Sequence, residues 1–400
     1  MPKVSIVMPA CNVEKYIDEC LQSVIGQTLS DIEIILIDDG SSDRTGEILD
    51  RYQAEDPRVR VLHKVNTGYG NSMNIGVSMA TGEYIGIIET DDVAEPDMFE
   101  KLYELAVRND ADVVKSNYYR YLSREESNTL VPNMETVGIY GEVFSPEDHW
   151  EIFNVTPSIW SGIYRRSMIE AENIRFNETP GASYQDTSFA FKVWCSAKRV
   201  VLTEEPFLHY RIDNEKSSVN SPGKVFCICD EHQAMEDYLE QFPEKKARFE
   251  GVKDFLTYKA YRWNYGRLAL EYKYAFLLEM EKECKKVDST RGYDRKFFAD
   301  NEWAELQELL ADKEVFFRRT SAWLMGGLQS VHLLDQAYRA QKKELKELRK
   351  ENKQLTKDGE KLEKRVQKLE KEIDGIRNST SFRIGRTVTY LPRKIKGSGK

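Results

Sequence analysis

The 400-residue sequence predicts an α/β protein in which a mostly parallel sheet domain precedes a helical region and a C-terminal coiled coil. Three observations support this prediction. Short apolar runs alternate with amphipathic helical patterns over the first 120 residues, as in βαβ units. Helical patterns rich in Tyr, Phe and Trp follow, and a seven-residue apolar repeat comes last. The chain is 40% hydrophobic, which is enough to bury a large core.

The βαβ pattern of the N-terminal part can be assigned run by run, and it continues less regularly to residue 212. Each predicted strand is a short run rich in β-branched residues, and each predicted helix carries apolar residues three or four positions apart. In a doubly wound sheet, ligands bind beyond the carboxyl ends of the strands. The predicted strands are 4–8, 32–37, 59–62, 83–88, 112–115 and 199–202, and the predicted helices are 16–24, 45–52, 72–79, 97–107 and 186–197.

A helical region is predicted from residue 224 to residue 330, after a sheet domain at 1–223. Its aromatic residues recur at helical spacing, a pattern that usually forms a packing face and only rarely a sugar-stacking surface. We therefore expect this stripe to pack against the sheet domain. Its members are Phe255, Tyr258, Tyr265 and Tyr272.

Residues 331–377 follow a heptad pattern with Lys and Glu between the apolar positions, which predicts a coiled coil. Asn352 falls at a core position, where a buried amide favours two-stranded pairing, so we expect a homodimer. A single solvated helix is the alternative. Residues 378–400 combine basic and apolar side chains without an acidic one, which suggests contact with an anionic membrane surface. A solvated tail is the alternative.

Charge and cysteine content limit the classes of function. The formal charge of −9, from 58 basic and 67 acidic residues, argues against a protein built mainly to bind nucleic acid. Six irregularly spaced cysteines fit a reducing compartment and no signal-peptide pattern is present, so we expect a cytoplasmic protein. The basic, apolar tail suggests a peripheral position at the inner face of the membrane. Cys227, Cys229 and His232 could hold a metal, but the sequence offers no second ligand pair with zinc spacing.

Acidic residues follow two predicted strands at the edge of the sheet where ligands bind. Asp39 ends the second strand, and the run 89–92 (Glu-Thr-Asp-Asp) follows the fourth. Asp43 can be explained as a helix N-cap, but capping does not require the second cluster. Adjacent carboxylates repel each other, so Asp91 and Asp92 indicate a bound cation, and their oxygen ligands suit Mg²⁺ or Mn²⁺.

Residues 4–100 also carry the ordered motifs of a known family. The runs SIVMPACN, QTLSDIEIILIDDGSSDRT, NTGYGNSMNIG, ATGEYIGIIETDD and PDMFEKL closely resemble glycosyltransferase family 2, whose domain has the GT-A fold, a Rossmann-like and mostly parallel sheet. The resemblance implies an inverting transfer of a sugar from a nucleotide-sugar donor, commonly a UDP-sugar, to an acceptor hydroxyl. It further implies Mn²⁺ or Mg²⁺ as the cofactor and a growing or lipid-linked glycan as the acceptor.

The resemblance implies roles for individual residues at the donor site. Asp39 corresponds to the acid that binds the base of the donor nucleotide. Pro9 and Asn12 correspond to the start of the nucleotide pocket. Asp91 and Asp92 correspond to the DxD-type motif, whose carboxylates bind the metal on the diphosphate and contact the donor ribose.

Further positions are expected to lie on the acceptor and phosphate sides. By resemblance, Asp186 in SYQDTSF is the general base, and an Asp that merely stabilises a helix N-terminus is the alternative. Arg211 could bind phosphate oxygens and His209 could add a metal ligand, with a structural histidine as the alternative. Trp160 could line the acceptor pocket or pack in the core.

Three positions depart from the common family pattern. Glu89 stands where many relatives have Asp, Gln185 where they have Glu, and Met73 where they have Arg. These changes leave an alternative function open, a catalytically impaired coiled-coil scaffold of a glycan-assembly complex. The retained acids at the donor and base positions favour an active enzyme. A nucleotidyltransferase would show a Gly-rich basic loop after the first strand, and the sequence has none there.

Overall fold

The computed structural model describes residues 1–214 and 224–325, together with Lys361, Arg365 and Lys368. The chain separates into two units, Met1–Thr320 and Ser321–Lys400. The first unit contains the sheet and most of the helices. In the second unit, residues 321–325 end the last described helix, and the three separate residues are helical. Apart from those three residues, the predicted coiled coil at 331–377 and the predicted tail at 378–400 lie outside the described residues.

One sheet of ten strands forms the centre of the first unit. The strands are β1 (Val4–Ala10), β2 (Ile32–Asp39), β3 (Val59–Lys64), β4 (Tyr84–Ile87), β5 (Val93–Ala94), β6 (Val113–Leu122), β7 (Ser127–Val131), β8 (Val143–Phe144), β9 (Gly162–Arg165) and β10 (Val200–Arg211). Their order is β3-β2-β1-β4-β9-β6-β10-β5, with β7 beside β6 and β8 beside β10. Parallel pairs join β3, β2, β1 and β4, and also β6 and β10, whereas β9 runs antiparallel between β4 and β6.

Helices cover the sheet and form the region that follows it. They are α1 (Ile17–Ile25), α2 (Thr45–Glu55), α3 (Tyr69–Met79), α4 (Met98–Asn109), α5 (Arg166–Ala171), α6 (Gln185–Ser196), α7 (Cys227–Gln241), α8 (Pro243–Arg267), α9 (Leu270–Thr290), α10 (Asp300–Ala311) and α11 (Lys313–Met325). Every residue of β1 and β2 is buried, which explains why these strands are mostly apolar in the sequence, and their buried Ser5 and Glu33 are hydrogen-bonded to each other. α3 lies so close to β1 that a Cβ on Gly76 would come within 2.4 Å of Val7.

The predicted strands and helices of the first 212 residues are confirmed, with ends that differ by a few residues at most positions. The largest difference is at β10, which continues nine residues beyond its predicted end at 202. This extension places Arg211 at the edge of the sheet beside the acidic loop that follows β4. The sequence analysis did not predict β5, β7, β8, β9 or α5.

The aromatic stripe of the helical region forms a packing face, as predicted, at three of its four positions. Phe255, Tyr258 and Tyr265 are buried, and Phe255 contacts the ring of Trp150 from the sheet domain at a centroid distance of 5.9 Å. The prediction was wrong for Tyr272, because α8 ends at Arg267 and this residue lies on the next helix with its side chain exposed. A bilayer-spanning helix would need a long apolar stretch, and no described helix has one.

Candidate active site

A cavity of about 370 Å³ lies at the carboxyl ends of β1, β2 and β4. Its wall combines residues from these strand ends, the loop before α6 and the end of β10. This is the edge of the sheet where an α/β fold binds ligands. Of the predicted site residues, Pro9, Asp39, Asp91 and Asp186 line the cavity, whereas Asn12, Asp92, His209 and Arg211 lie outside its wall.

The carboxylate of Asp39 is held by the loop that follows β3. Its two oxygens accept the backbone N–H groups of Thr67 at 2.8 Å and Gly68 at 3.0 Å, and Lys64 forms an ion pair with it. Gly68 has a φ of +97°, a conformation that favours glycine. Lys64 was not predicted from the sequence, although it ends β3 directly opposite Asp39 in the register of two neighbouring strands.

Asn12 connects the loops that follow β1 and β2. Its side-chain oxygen accepts the backbone N–H of Ser42 at 2.8 Å, and its own N–H donates to the Ser41 hydroxyl at 3.0 Å. The φ of 55° at Asn12 belongs to the left-handed region, which Asn tolerates better than most residues. Asn12 therefore shapes the start of the pocket, while Pro9 forms part of its wall.

The acidic loop after β4 contains a carboxylate oxygen that lacks a partner. Asp92 is fully buried, and its Oδ1 accepts the backbone N–H of Arg211 at 2.9 Å. Its Oδ2 is buried with no hydrogen-bond partner among the described residues. Burial and the neighbouring charge of Asp91 raise the pKa of Asp92 well above its usual range. Asp91 lines the cavity and accepts a hydrogen bond of 2.8 Å from Asn214.

These residues fit a divalent cation that completes its coordination outside the protein. Asp92, whose Oδ2 is unpartnered, directly follows the cavity-lining Asp91 in the chain, and carboxylates are the hard oxygen ligands that Mg²⁺ or Mn²⁺ takes. Within the described residues, no three His, Cys, Asp or Glu side chains are grouped so that they could hold a metal, and this includes Cys227, Cys229 and His232. Mg²⁺ commonly binds in this way, through one or two carboxylates, waters and substrate phosphates.

The guanidinium of Arg211 supports the acidic loop and does not line the cavity. It donates to the backbone carbonyl of Asp91 at 2.7 Å and to Glu19 at 2.6 Å. It also lies over the rings of Tyr16 and Tyr121, each at 4.9 Å. In this arrangement Arg211 positions the acidic loop, so the predicted bidentate contact with phosphate does not follow from the geometry.

His209 is likewise placed away from the cavity. One ring nitrogen forms a hydrogen bond of 2.8 Å with Asn128, and the other forms one of 2.8 Å with Glu95. Both nitrogens therefore have protein partners, and the ring stacks on Tyr119 with centroids 5.0 Å apart. This geometry corresponds to the structural alternative for His209, and we do not include it among the proposed metal ligands.

Glu89, which replaces the common Asp, lines the same cavity in a largely protonated state at neutral pH. Its carboxyl is buried and shares a hydrogen bond of 2.6 Å with the hydroxyl of Tyr69. Burial, together with the charges of Asp91 and Asp186, raises the pKa of Glu89 to about 8, although the bond from Tyr69 opposes this shift. The longer side chain is thus accommodated by a tyrosine partner on α3.

Asp186 lies in the first turn of α6 and faces the cavity. Burial raises its pKa to about 6, whereas hydrogen bonds from the backbone and hydroxyl of Thr187 oppose the shift. At neutral pH the carboxylate is therefore mainly ionised, and its pKa lies near the pH at which a general base works best. The neighbouring Gln185 braces the preceding loop, because its amide donates to Thr179 at 2.9 Å and to the carbonyl of Gly181 at 3.1 Å, and accepts the N–H of Ser183.

Trp160 satisfies both interpretations that the sequence allowed. Its ring is buried and stacks on Tyr210, with centroids 5.1 Å apart and an interplanar angle of 6°. It also meets Tyr118 edge to face at 4.7 Å. Trp160 and Tyr210 nevertheless both line the cavity, so this packed aromatic cluster forms part of its wall.

Comparisons with known proteins identify the family of the chain. The family profile described as "Glycosyl transferase family 2" matches residues 5–171. The uncharacterized glycosyltransferase EpsJ of Bacillus subtilis is 34% identical over 251 residues, which are 62% of this chain and 70% of that protein. The putative glycosyltransferase EpsH of the same organism is 34% identical over 216 residues, covering 53% of this chain and 61% of that protein.

A solved structure extends the similarity of the fold to most of the chain. The crystal structure of S. aureus TarS in complex with UDP-GlcNAc aligns with a TM-score of 0.56 and 18% identity, covering 81% of this chain and 92% of that one. Its low identity means that it supports the fold alone. The sequence matches, the sheet order and the acidic cavity lead to one conclusion: the chain belongs to glycosyltransferase family 2 and is a glycosyltransferase that acts on nucleotide sugars.

Proposed function

We propose that the protein is an inverting, metal-dependent glycosyltransferase that moves a sugar from a UDP-sugar to an acceptor hydroxyl of a growing glycan. One observation carries this proposal: a single cavity collects Asp39, Asp91 and Asp186, which lie far apart in the sequence. Each of the three has a separate task in such a reaction, namely binding the base, holding the metal and accepting the proton.

The donor nucleotide is proposed to lie between the loops that follow β1, β2 and β3. Asp39 is oriented there by two backbone N–H groups and can accept a hydrogen bond from a base N–H. The ammonium of Lys64 beside it can donate to a base carbonyl, and uracil presents both groups side by side. The TarS structure was solved with UDP-GlcNAc, which makes UDP-sugars the first donors to test.

The acidic loop is proposed to hold the cation through Asp91 and Asp92. A divalent cation bound there would neutralise the negative charge that develops on the diphosphate leaving group. The protein's own contribution is orientation, since Arg211 fixes the loop through the carbonyl of Asp91 and its backbone N–H fixes Asp92. Asn214 further orients the carboxylate of Asp91.

Asp186 is proposed as the general base. Its mainly ionised carboxylate faces the cavity and can accept the proton of the acceptor hydroxyl as this oxygen attacks the anomeric carbon. Attack on the face opposite the leaving diphosphate forms the new C–O bond as the old one breaks. The product would therefore have the inverted anomeric configuration.

A donor screen tests this function directly. UDP-, GDP- and dTDP-sugars are incubated with the protein and Mn²⁺ or Mg²⁺, and nucleotide release is measured for wild type and for Asp91→Asn. We expect metal-dependent release from a UDP-sugar, lost on chelation and in Asp91→Asn but retained in Asp97→Asn, a matched change of an exposed acid on the protein surface. Proton NMR of the first product then reports its anomeric configuration. If no nucleotide-sugar binds with metal present, the result favours the alternative function, a catalytically impaired scaffold.

Two further proposals concern residues outside the described part of the chain. The heptad pattern at 331–377 supports a homodimer, and the basic, apolar composition of 378–400 supports contact with the cytosolic face of a membrane. Analytical ultracentrifugation of the full chain tests the dimer. Deletion of 378–400 should abolish binding to anionic liposomes, and unchanged binding would exclude the membrane proposal.

A further inference from the structure

The wall of the catalytic cavity is continuous with a surface of the helical region. Tyr184 lines the cavity two residues before Asp186, and its ring meets Trp263 on α8 edge to face, with centroids 5.9 Å apart. Trp263 borders a second hollow of about 410 Å³ on the surface of α8 and α10. The contact between these two rings therefore links the second hollow to the neighbourhood of the proposed base.

Tyr184 has two features that packing alone does not explain. It has a φ of 66°, a left-handed conformation that is unfavourable for a bulky side chain. Its hydroxyl is buried without a hydrogen-bond partner among the described residues. Buried polar atoms normally have a partner, so this hydroxyl is available to a ligand that enters the cavity.

Trp263 has the properties of a sugar-binding platform. Its side chain is 52% exposed, unlike the buried Tyr258 and Tyr265 of the same helix. The guanidinium of Arg267 lies 5.2 Å from the centre of the Trp263 ring and 5.7 Å from that of Tyr184. A large exposed aromatic face beside a polar group can cover the apolar face of a sugar ring while its hydroxyls are hydrogen-bonded.

Two cations at this position are not neutralised. Arg267 donates to the side-chain oxygen of Asn264 at 2.9 Å, and Lys224, which lines the catalytic cavity, donates to a backbone carbonyl. Within the described residues, neither cation has a carboxylate within 4 Å. By contrast, Arg262 in the same hollow is neutralised by Glu305 through two bonds of 2.7 and 3.0 Å.

We propose that Tyr184, Trp263, Arg267 and Lys224 form an acceptor subsite for a glycan that carries an anionic group, either phosphate or carboxylate. A sugar ring lies on Trp263, and its anionic group binds Arg267 and Lys224. The inference rests on the proposed function, because it places the acceptor beside Asp186. Glu302 also borders the hollow, but its carboxylate accepts the N–H of Ala299 at 3.0 Å and does not contact either cation.

Binding of three probes tests this subsite without requiring turnover. Glucose, glucuronic acid and glucose 6-phosphate are titrated into the full chain and followed by saturation-transfer NMR, before and after UDP is added. We expect at least one anionic probe to bind more tightly than glucose by about tenfold or more, since one charge-assisted hydrogen bond contributes about a tenfold gain in affinity. The preferred probe distinguishes carboxylate from phosphate, and its signal should persist with UDP present.

Variants assign the binding to the named residues. Arg267→Gln should weaken the anionic probes about tenfold, and Trp263→Ala should weaken all three, whereas Trp263→Phe should restore binding. Arg248→Gln is the matched control, because it removes an exposed arginine of the same helix that pairs with Glu147. The proposal is overturned if glucose and the anionic probes bind equally, if no probe binds, or if UDP displaces the probes. It is also overturned if Arg267→Gln and Arg248→Gln have equal affinities. A failed donor screen with intact probe binding would instead refute the proposed function.

Discussion

The buried charges of the helical region have oppositely charged partners, whereas several acids around the catalytic cavity have none among the described residues. In the helical region, Lys253 is buried on α8 and forms ion pairs with Glu236 and Asp254. Arg291 donates two further hydrogen bonds of 2.7 Å to Asp254. Burial opposes ionisation here, but the opposite charges outweigh it, so the pKa of Lys253 is raised and that of Glu236 is lowered.

Around the cavity, Asp39 is paired with Lys64, but other acids have no such cation in the described part of the chain. Burial raises the pKa of Asp92, of Glu89 and of Asp186, and within the described residues no ion pair compensates any of the three. An uncompensated buried charge destabilises a fold, so these positions are poorly explained by stability. Paired charges therefore support the fold of the helical region and hold Asp39 in place, whereas the unpaired acids lie in or beside the cavity, where a ligand can meet them.

The largest effect is expected from Asp92→Asn. Loss of a metal-binding carboxylate should lower the transfer rate by at least about a thousandfold, because charge stabilisation by a bound metal contributes several kcal/mol. The free energy of unfolding should not fall, since the amide keeps an oxygen for the Arg211 N–H and replaces a buried carboxyl that has no ion-pair partner among the described residues. Steady-state kinetics and urea unfolding check the two parts. If Asp92→Asn lost both activity and stability, Asp92 would instead be an acid that supports the fold.

The opposite result is expected from Asp254→Asn in the helical region. Removing this carboxylate takes away one of the two acidic partners of Lys253 and the acid that accepts both short bonds from Arg291, so it should lower the free energy of unfolding by about 3 kcal/mol. Urea unfolding measures the loss, and Asp288→Asn, an exposed position on α9, is the control. Stability equal to that of the control would show that the buried network does not support the fold.

The pH dependence of activity should report Asp186. A general base must be deprotonated, so kcat/KM should rise with pH and level off above an apparent pKa of about 6. Below that value it should fall about tenfold per pH unit. Thr187→Val removes the hydroxyl that lowers this pKa, so the inflection should move to higher pH. If the inflection lies at the same pH in wild type and in Thr187→Val, the fall of kcat/KM at low pH belongs to another group.

The smallest effect is expected at His63, which bridges Asp38 on β2 at 2.8 Å and Asp50 on α2 at 3.0 Å. Hydrogen bonds to these two acids raise the pKa of His63 above its usual value. The resulting stabilisation is present in full below the unfolded-state pKa and is lost as pH rises through the folded-state pKa. Because the side chain is partly exposed, His63→Gln should cost less than about 1 kcal/mol at pH 5.5 and less still at pH 9. Equal losses at both pH values would contradict this assignment.

The order of strands and helices in the sheet domain was predictable because each element has a local signal. Fully buried strands such as β1 and β2 are mostly apolar runs, and their partner helices repeat apolar residues every three or four positions. Short strands such as β5 and β9 have no such signal, because they exist only through pairing with β10, β4 and β6. Local propensity therefore missed them.

The sequence by itself determined the family, the sheet edge that carries the site and the acids placed there, because motif spacing and strand ends are local properties of the chain. Only the tertiary structure decided which groups face the cavity. It turned Arg211 and His209 toward protein partners, brought Lys64 against Asp39, and joined Tyr184 to Trp263. The physical reason is that hydrogen-bond partners and desolvation depend on residues remote in sequence, so no local pattern encodes them.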